Sequence, residues 1–243
     1  EAGTALDKEI ETQEQDAGLL AHHHFARAEI FALQFRPLQA LPHYERAYEP
    51  DVAMTLNNLG NLYAATQKHA QAETALREAL DSYRKLAKRN PGAYEPHMAM
   101  TLNNLGALYA DIQKHAQAET AYKEALSIRK KLAARNPDAY EPYVAATLNN
   151  IAGLYVFSLN RPDEAWRLVE EGLGIRRRLW NRFPPAFGDD LAKSLEVSIE
   201  TGIRLGKDKT DLCARAKEIE QVAYRADLKA IARGYIQRFC GGI

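Results

Sequence analysis

The residues best suited to chemistry in this chain are amides. Three Leu-Asn-Asn triplets occur, at Leu56, Leu102 and Leu148, so that Asn57 and Asn58, Asn103 and Asn104, and Asn149 and Asn150 form three like pairs. A primary amide carries two N–H donors and an acceptor oxygen, and can pair with the main chain of an extended peptide whatever its side chains. That is recognition chemistry, and nothing beside it suggests catalysis. The sequence has no Gly-rich phosphate loop, no nucleophile elbow and no His-Glu-x-x-His motif. Most Asp and Glu residues fall on solvent-facing positions, so no catalytic residue, metal or cofactor is assigned. His22, His23 and His24 look like metal ligands, but consecutive helical residues point about 100° apart and cannot converge on one ion. His69 and His115 recur at one turn and are read as lining it. Cys213 and Cys240 are the only cysteines. They form neither a disulfide framework nor a Cys-rich metal site, and either is available as a lone thiol.

Charge adds little direction. Lys plus Arg number 32 against 32 Asp plus Glu, so no global field draws the chain to nucleic acid or an anionic membrane. A local exception recurs: Arg84, Lys130 and Arg177, then Lys85, Lys131 and Arg178, then Arg89, Arg135 and Arg182. One reading is a docking strip for acidic tails or phosphates. The preferred reading is cations complementing helix C-termini, with Glu73 and Arg77, and Glu119 and Lys123, pairing at i,i+4. No apolar run reaches the roughly 18 residues of a membrane span. Scarce cysteine favours a reducing, cytoplasmic setting. Glu1 in place of an initiator methionine leads to the expectation of an upstream segment.

The elements that position the amides repeat. Ala47, Ala93 and Ala139 open near-identical segments, and the differences 93 − 47 and 139 − 93 are both 46. Each unit reads as two helices. In the first, Leu56, Leu59, Gly60 and Tyr63 recur at i, i+3, i+4 and i+7, the spacing of one buried face. Leu102, Leu105, Gly106 and Tyr109 repeat it, as do Leu148, Ile151, Ala152 and Tyr155. In the second, Ala72, Leu76 and Ala79, and then Ala118, Tyr122 and Ala125, mark an inner face whose small residues let helices approach closely. Glu-Pro at Pro50, Pro96 and Pro142 is expected to open each first helix. Asn-Pro at Asn90 and Asn136 closes each second one. The third unit carries one extra residue, assigned to its turn at Asn160–Asp163, and Gly172 and Gly174 are expected to weaken its second helix.

The pattern Leu-x2-Leu-Gly-x2-Tyr followed by Ala-x3-(Leu or Tyr)-x2-Ala resembles the tetratricopeptide repeat. The longer unit and the Leu-Asn-Asn segment are similar to the repeats of kinesin light chain and its bacterial relatives. The match runs from about Tyr48 to Arg182. The resemblance implies an all-α, right-handed superhelical solenoid of antiparallel helix pairs, with first helices lining a concave groove and the asparagines holding a peptide's main chain. The chain is read as one solenoid over 1–243. Residues 1–19 form an N-terminal extension, 20–47 a short first repeat, 48–93, 94–139 and 140–186 three long repeats, and 187–243 a degenerate repeat with a closing helix.

A helical wheel places the groove face opposite Leu56, Gly60 and Tyr63. It holds Met54, Asn58, Asn61 and Ala65, then Met100, Asn104, Ala107 and Asp111, then Ala146, Asn150, Gly153 and Phe157. Small, mostly uncharged residues leave room for a ligand. Asn58, Asn104 and Asn150 are read as the ladder facing it, with Asn57, Asn103 and Asn149 bonding between repeats and Thr55, Thr101 and Thr147 structural. Met54, Met100 and Phe157 supply apolar contacts, methionine suiting a groove that adapts to several ligands. The expected partner is a protein or peptide rather than nucleic acid or a membrane, on a non-enzymatic scaffold. The alternatives are a self-association module or the sensor part of a larger protein.

Overall fold

Proline and asparagine punctuate the chain in the computed structural model, which describes residues 37–241, with side chains from residue 49. Expectations for residues 1–36, His22, His23 and His24 included, lie outside the described residues. These fold into nine helices and no strand. In order they are α1 (Pro37–Ala65), α2 (His69–Arg89), α3 (Pro91–Asp111), α4 (His115–Arg135), α5 (Pro137–Gly153), α6 (Pro162–Arg182), α7 (Pro184–Arg204), α8 (Lys209–Val222) and α9 (Ala226–Cys240). A π-helical turn, Leu154–Ser158, extends α5. The fold class is all-α, as expected.

The helices begin elsewhere than expected. Pro91 and Pro137, not Pro96 and Pro142, open α3 and α5, and the latter two prolines lie inside those helices. Asn90 explains the earlier start, because it serves both neighbours at once. Its N–H donates to the Leu86 carbonyl at the end of α2, and its Oδ1 accepts from Ala93 N in the first turn of α3 at 3.2 Å. Asn136 repeats both bonds. A side-chain oxygen at this position satisfies an N–H that no helical carbonyl can reach. Proline directly after it loses nothing, since its missing N–H would be unpaired there. Pro50 likewise opens no helix, since α1 runs through it.

The chain divides into two units, Glu1–Leu108 and Tyr109–Ile243. In the first, Ala53 of α1 packs with Tyr83 and Leu86 of α2, flanked by Tyr94 and Met98 of α3. Gly60 sits tight against α2, where a Cβ would come within 2.5 Å of Leu76 Cγ. In the second unit, Val144, Ala145 and Leu148 of α5 meet Ile175 and Leu179 of α6. A further cluster joins Leu191, Leu195 and Ile199 of α7 to Leu212, Ala216 and Ile219 of α8 and Leu228, Ala232 and Phe239 of α9. The residues read as inward in α2 and α4, Ala72, Leu76, Ala79, Ala118, Tyr122 and Ala125, are all buried. Gly172 does not break α6; it is buried against the Ala145 carbonyl and Leu148.

The extra residue of the third repeat is not in the turn. The turns themselves match: Gln67, Gln113 and Asn160 all take a left-handed conformation. The surplus falls between Tyr155 and Asn160, where it is absorbed as the π turn. The Lys68 and Lys114 N–H groups reach back to Tyr63 and Tyr109, and Arg161 N reaches Tyr155 across one residue more. A π turn is how a helix takes in a single insertion without losing register beyond it.

The cysteines also differ from expectation. Cys213 of α8 and Cys240 of α9 form a disulfide with their Cα atoms 5.4 Å apart. A sequence separation of 27 hides the pairing, and the turn-back of α9 onto α8 creates it. Such bonds are rare in reducing compartments, which removes the argument that scarce cysteine made for one.

Candidate functional site

Adjacent asparagines on one helix turn take opposite environments. Asn57 is buried, 1% exposed, between α1 and α3. Its Oδ1 accepts from Thr101 Oγ1 and from Asn104 Nδ2, each at 3.1 Å. The single Thr101 hydroxyl hydrogen is shared between Asn57 Oδ1 and the His97 carbonyl. Asn58, one residue on and 100° round the helix, is exposed, as are Met54 and Asn61. Met100 and Asn104 on α3 are half-buried. In the first unit the surface beside the Asn57 hub is therefore Met54, Asn58, Asn61, Met100, Asn104 and Ala107, with no formal charge among them. Asn104 lends one amide hydrogen to the hub, so it belongs to the repeat junction as well as to the surface.

In the second unit Ala146, Asn150 and Gly153 are half-buried on α5, and Asp111 and Phe157 are exposed. Phe157 stands on the π turn with 56% of its surface exposed, its ring edge 4.0 Å from where a Cβ on Gly153 would stand. Asn149 repeats the junction role of Asn57, its Oδ1 accepting from Ser194 Oγ of α7 at 3.0 Å.

Two residues with a clear role were not singled out from sequence. Arg129 of α4 and Arg176 of α6 are buried, at 7% and 6% exposure. Each guanidinium reaches into the next first helix: Arg129 donates to the Tyr143 carbonyl and Thr147 Oγ1, and Arg176 to the Asp190 carbonyl and Ser194 Oγ. Burial pulls the Arg129 group down to about 10 against partial compensation from Tyr143, and it stays charged at neutral pH. The signal was available, since both arginines align with Tyr83 in the apolar register of the second helices. A cation in a core register marks a bonded group.

Much of the neighbouring basic ladder is ion-paired. Lys130 meets Glu171 at 2.7 Å, Arg177 meets Glu218 at 2.7 Å, Arg178 meets Glu141 at 3.0 Å and Arg182 meets Asp138 at 2.6 Å. Arg89 meets Glu49 at 2.9 Å. The expected i,i+4 pairs also form, Glu73 with Arg77 and Glu119 with Lys123. Glu119 does more. Burial pushes its carboxyl up, but hydrogen bonds from Lys123, Tyr155 and Arg161 outweigh that and hold it at about 2. It thus ties the second helix of one repeat to the turn of the next. Among the described residues, no three His, Cys, Asp or Glu gather as a metal site, and no helix is long and apolar enough to cross a membrane.

Helix pairs recurring at one spacing and joined by buried amide and guanidinium bonds define a helical repeat protein. The chain belongs to the tetratricopeptide-repeat family. Family models for this repeat match residues 51–131 and 144–186. Its likeness to kinesin-light-chain-type repeats extends to a solved structure, BtubC (BKLC) from P. vanneervenii, which is 21% identical with a TM-score of 0.55. That alignment covers 96% of this chain and 89% of the other. Aspartyl phosphate phosphatase F from Bacillus subtilis is 14% identical with a TM-score of 0.64, over 97% of this chain and 60% of that one. At these identities the likeness is one of fold alone. No curated protein sequence matches the chain. Tetratricopeptide repeats generally act as non-catalytic scaffolds that mediate protein–protein interaction.

Proposed function

We propose that this chain is a protein- or peptide-binding scaffold that receives an extended segment on its first helices. In the first unit the receiving residues are Met54, Asn58, Asn61, Met100 and Asn104. In the second they are Asp111, Asn150 and Phe157. The observation that carries the reading is the division of labour between Asn57 and Asn58. A buried amide fixes the repeat junction, while the next amide is held at the surface on a rigid helix among uncharged neighbours. An amide so positioned can donate to and accept from a passing main chain at little cost in ordering. Asn104 is oriented by its bond to Asn57 and keeps its own oxygen and second hydrogen for a ligand.

The test is a peptide selected from a random extended library against the full chain, with affinity read by fluorescence anisotropy. Asn58→Ala with Asn104→Ala removes two main-chain hydrogen bonds of about 0.5–1.5 kcal/mol each, so affinity should fall roughly fivefold to a hundredfold. Asn150→Ala with Phe157→Ala tests the second unit separately. Unchanged affinity in both double variants sinks the reading.

A further inference from the structure

The last helix is thinly held. Of its residues only Leu228, Ala232 and Phe239 are buried, against nine buried residues in α7. Among the described residues it packs chiefly against α8 and only lightly against α7. Its first half carries two of the buried side chains. Its second half relies on Phe239, on the Tyr235 hydroxyl donating to Glu200 of α7, and on the disulfide. Burial pushes the Glu196 carboxyl of α7 up, with smaller contributions from Glu200 and Asp227, while Asp227 itself is exposed and paired with Arg225 at 2.6 Å. Cutting the Cys213–Cys240 bond would leave that second half held by buried Phe239, the partly buried Tyr235 and Ile236, and one side-chain hydrogen bond.

We propose that Cys213–Cys240 is a redox latch that keeps α9 closed over α7 and α8, and that a dithiol reductant opens it. The two sulfurs are not equivalent. Cys213 is buried at 5% exposure, whereas Cys240 is half-buried in the last turn of α9, next to Gly241 at the end of the described chain. Attack therefore falls on the Cys240 sulfur, which needs no opening of the core. A reductant thiolate bonds to Cys240 Sγ, and Cys213 leaves as a thiolate that takes up a proton. The reductant's second thiol then displaces Cys240 as a thiol and departs as a disulfide. Two electrons pass to the cysteine pair and the dithiol is oxidised. Opening uncovers Glu196 and Glu200 on α7, two helix positions equivalent to Asn149 and Gly153 of α5. The latch stands whether or not the first helices bind a peptide.

The experiment follows amide hydrogen exchange by mass spectrometry on the full chain, prepared without reductant, before and after complete reduction by dithiothreitol. Alkylation counts free thiols at each stage. The unreduced chain should take no alkyl groups and the reduced chain two. On reduction, amides of residues 230–240 should exchange about thirtyfold faster or more, the low end of what losing such a cross-link costs, while α6 and α7 keep their protection. Cys213→Ser with Cys240→Ser should reproduce the reduced pattern without reductant. Four results overturn the latch: both thiols alkylating in the unreduced chain, a disulfide that dithiothreitol cannot reduce in the folded chain, α9 exchange unchanged after reduction, or protection lost throughout α6 to α8.

Discussion

Replacing Asn57 by alanine and, separately, Asn58 by alanine should divide two neighbours that composition cannot tell apart. Asn57→Ala removes two hydrogen bonds at a buried junction, one from Thr101 and one from Asn104, at about 1 kcal/mol net each. The vacated amide leaves a small cavity that adds somewhat less than about 1 kcal/mol at about 24 cal/mol per Å³. The penalty on the partners stays small, because Thr101 keeps its bond to the His97 carbonyl and Asn104 is half in water. The total of about 3 kcal/mol corresponds to a fall in melting temperature of roughly 6–12 °C for a chain of this size. Asn58→Ala loses only a contact of 3.5 Å from Asn57 Nδ2, at the outer edge of hydrogen bonding. Alanine is also the better helix former by about 0.5 kcal/mol, so the melting temperature should hold or rise slightly. Circular dichroism melts and urea midpoints read both. If Asn57→Ala melts within about 2 °C of the parent, or if Asn58→Ala falls as far as Asn57→Ala, the assignment of one amide to the junction and the other to the surface is wrong.

Arg176→Met should cost only about 1 kcal/mol in urea denaturation, because methionine fills the volume and removes a desolvated charge as it gives up the bonds to Asp190 and Ser194; Arg176→Ala should cost more by its cavity, and equal losses would refute the packing role. Acid should act through Glu119. Its folded value of about 2 lies below the ordinary 4.5, so its contribution is complete above pH 4.5 and is lost as pH falls from there through about 2. Glu119→Gln should therefore be less stable than the parent at neutral pH, with the gap closing between pH 4.5 and 2. A gap that stays constant over that range would mean the carboxylate is not what Lys123, Tyr155 and Arg161 hold.

Sequence by itself determined the all-α class, the helix pairs and the spacing of the amides, because these rest on local rules. Near-identical units of 46 residues must fold alike, small residues at fixed intervals permit close helix packing, and Asn-Pro stops one helix. It also assigned Asn57 and Asn149 to the repeat junctions, where both are bonded, since a wheel separates neighbouring residues by 100°. Other features waited for the tertiary structure. That Asn104 serves junction and surface together depends on the distance between α1 and α3. That Arg129 and Arg176 are structural depends on carbonyls of the next repeat, which lie 14 residues on. The π turn lies where the helix can widen, a choice invisible when the insertion is counted only from one turn to the next. The pairing of Cys213 with Cys240 follows from α9 folding back on α8. Local rules carry each helix to its own ends; which side chains then share a buried space is settled only when helices distant in sequence pack together.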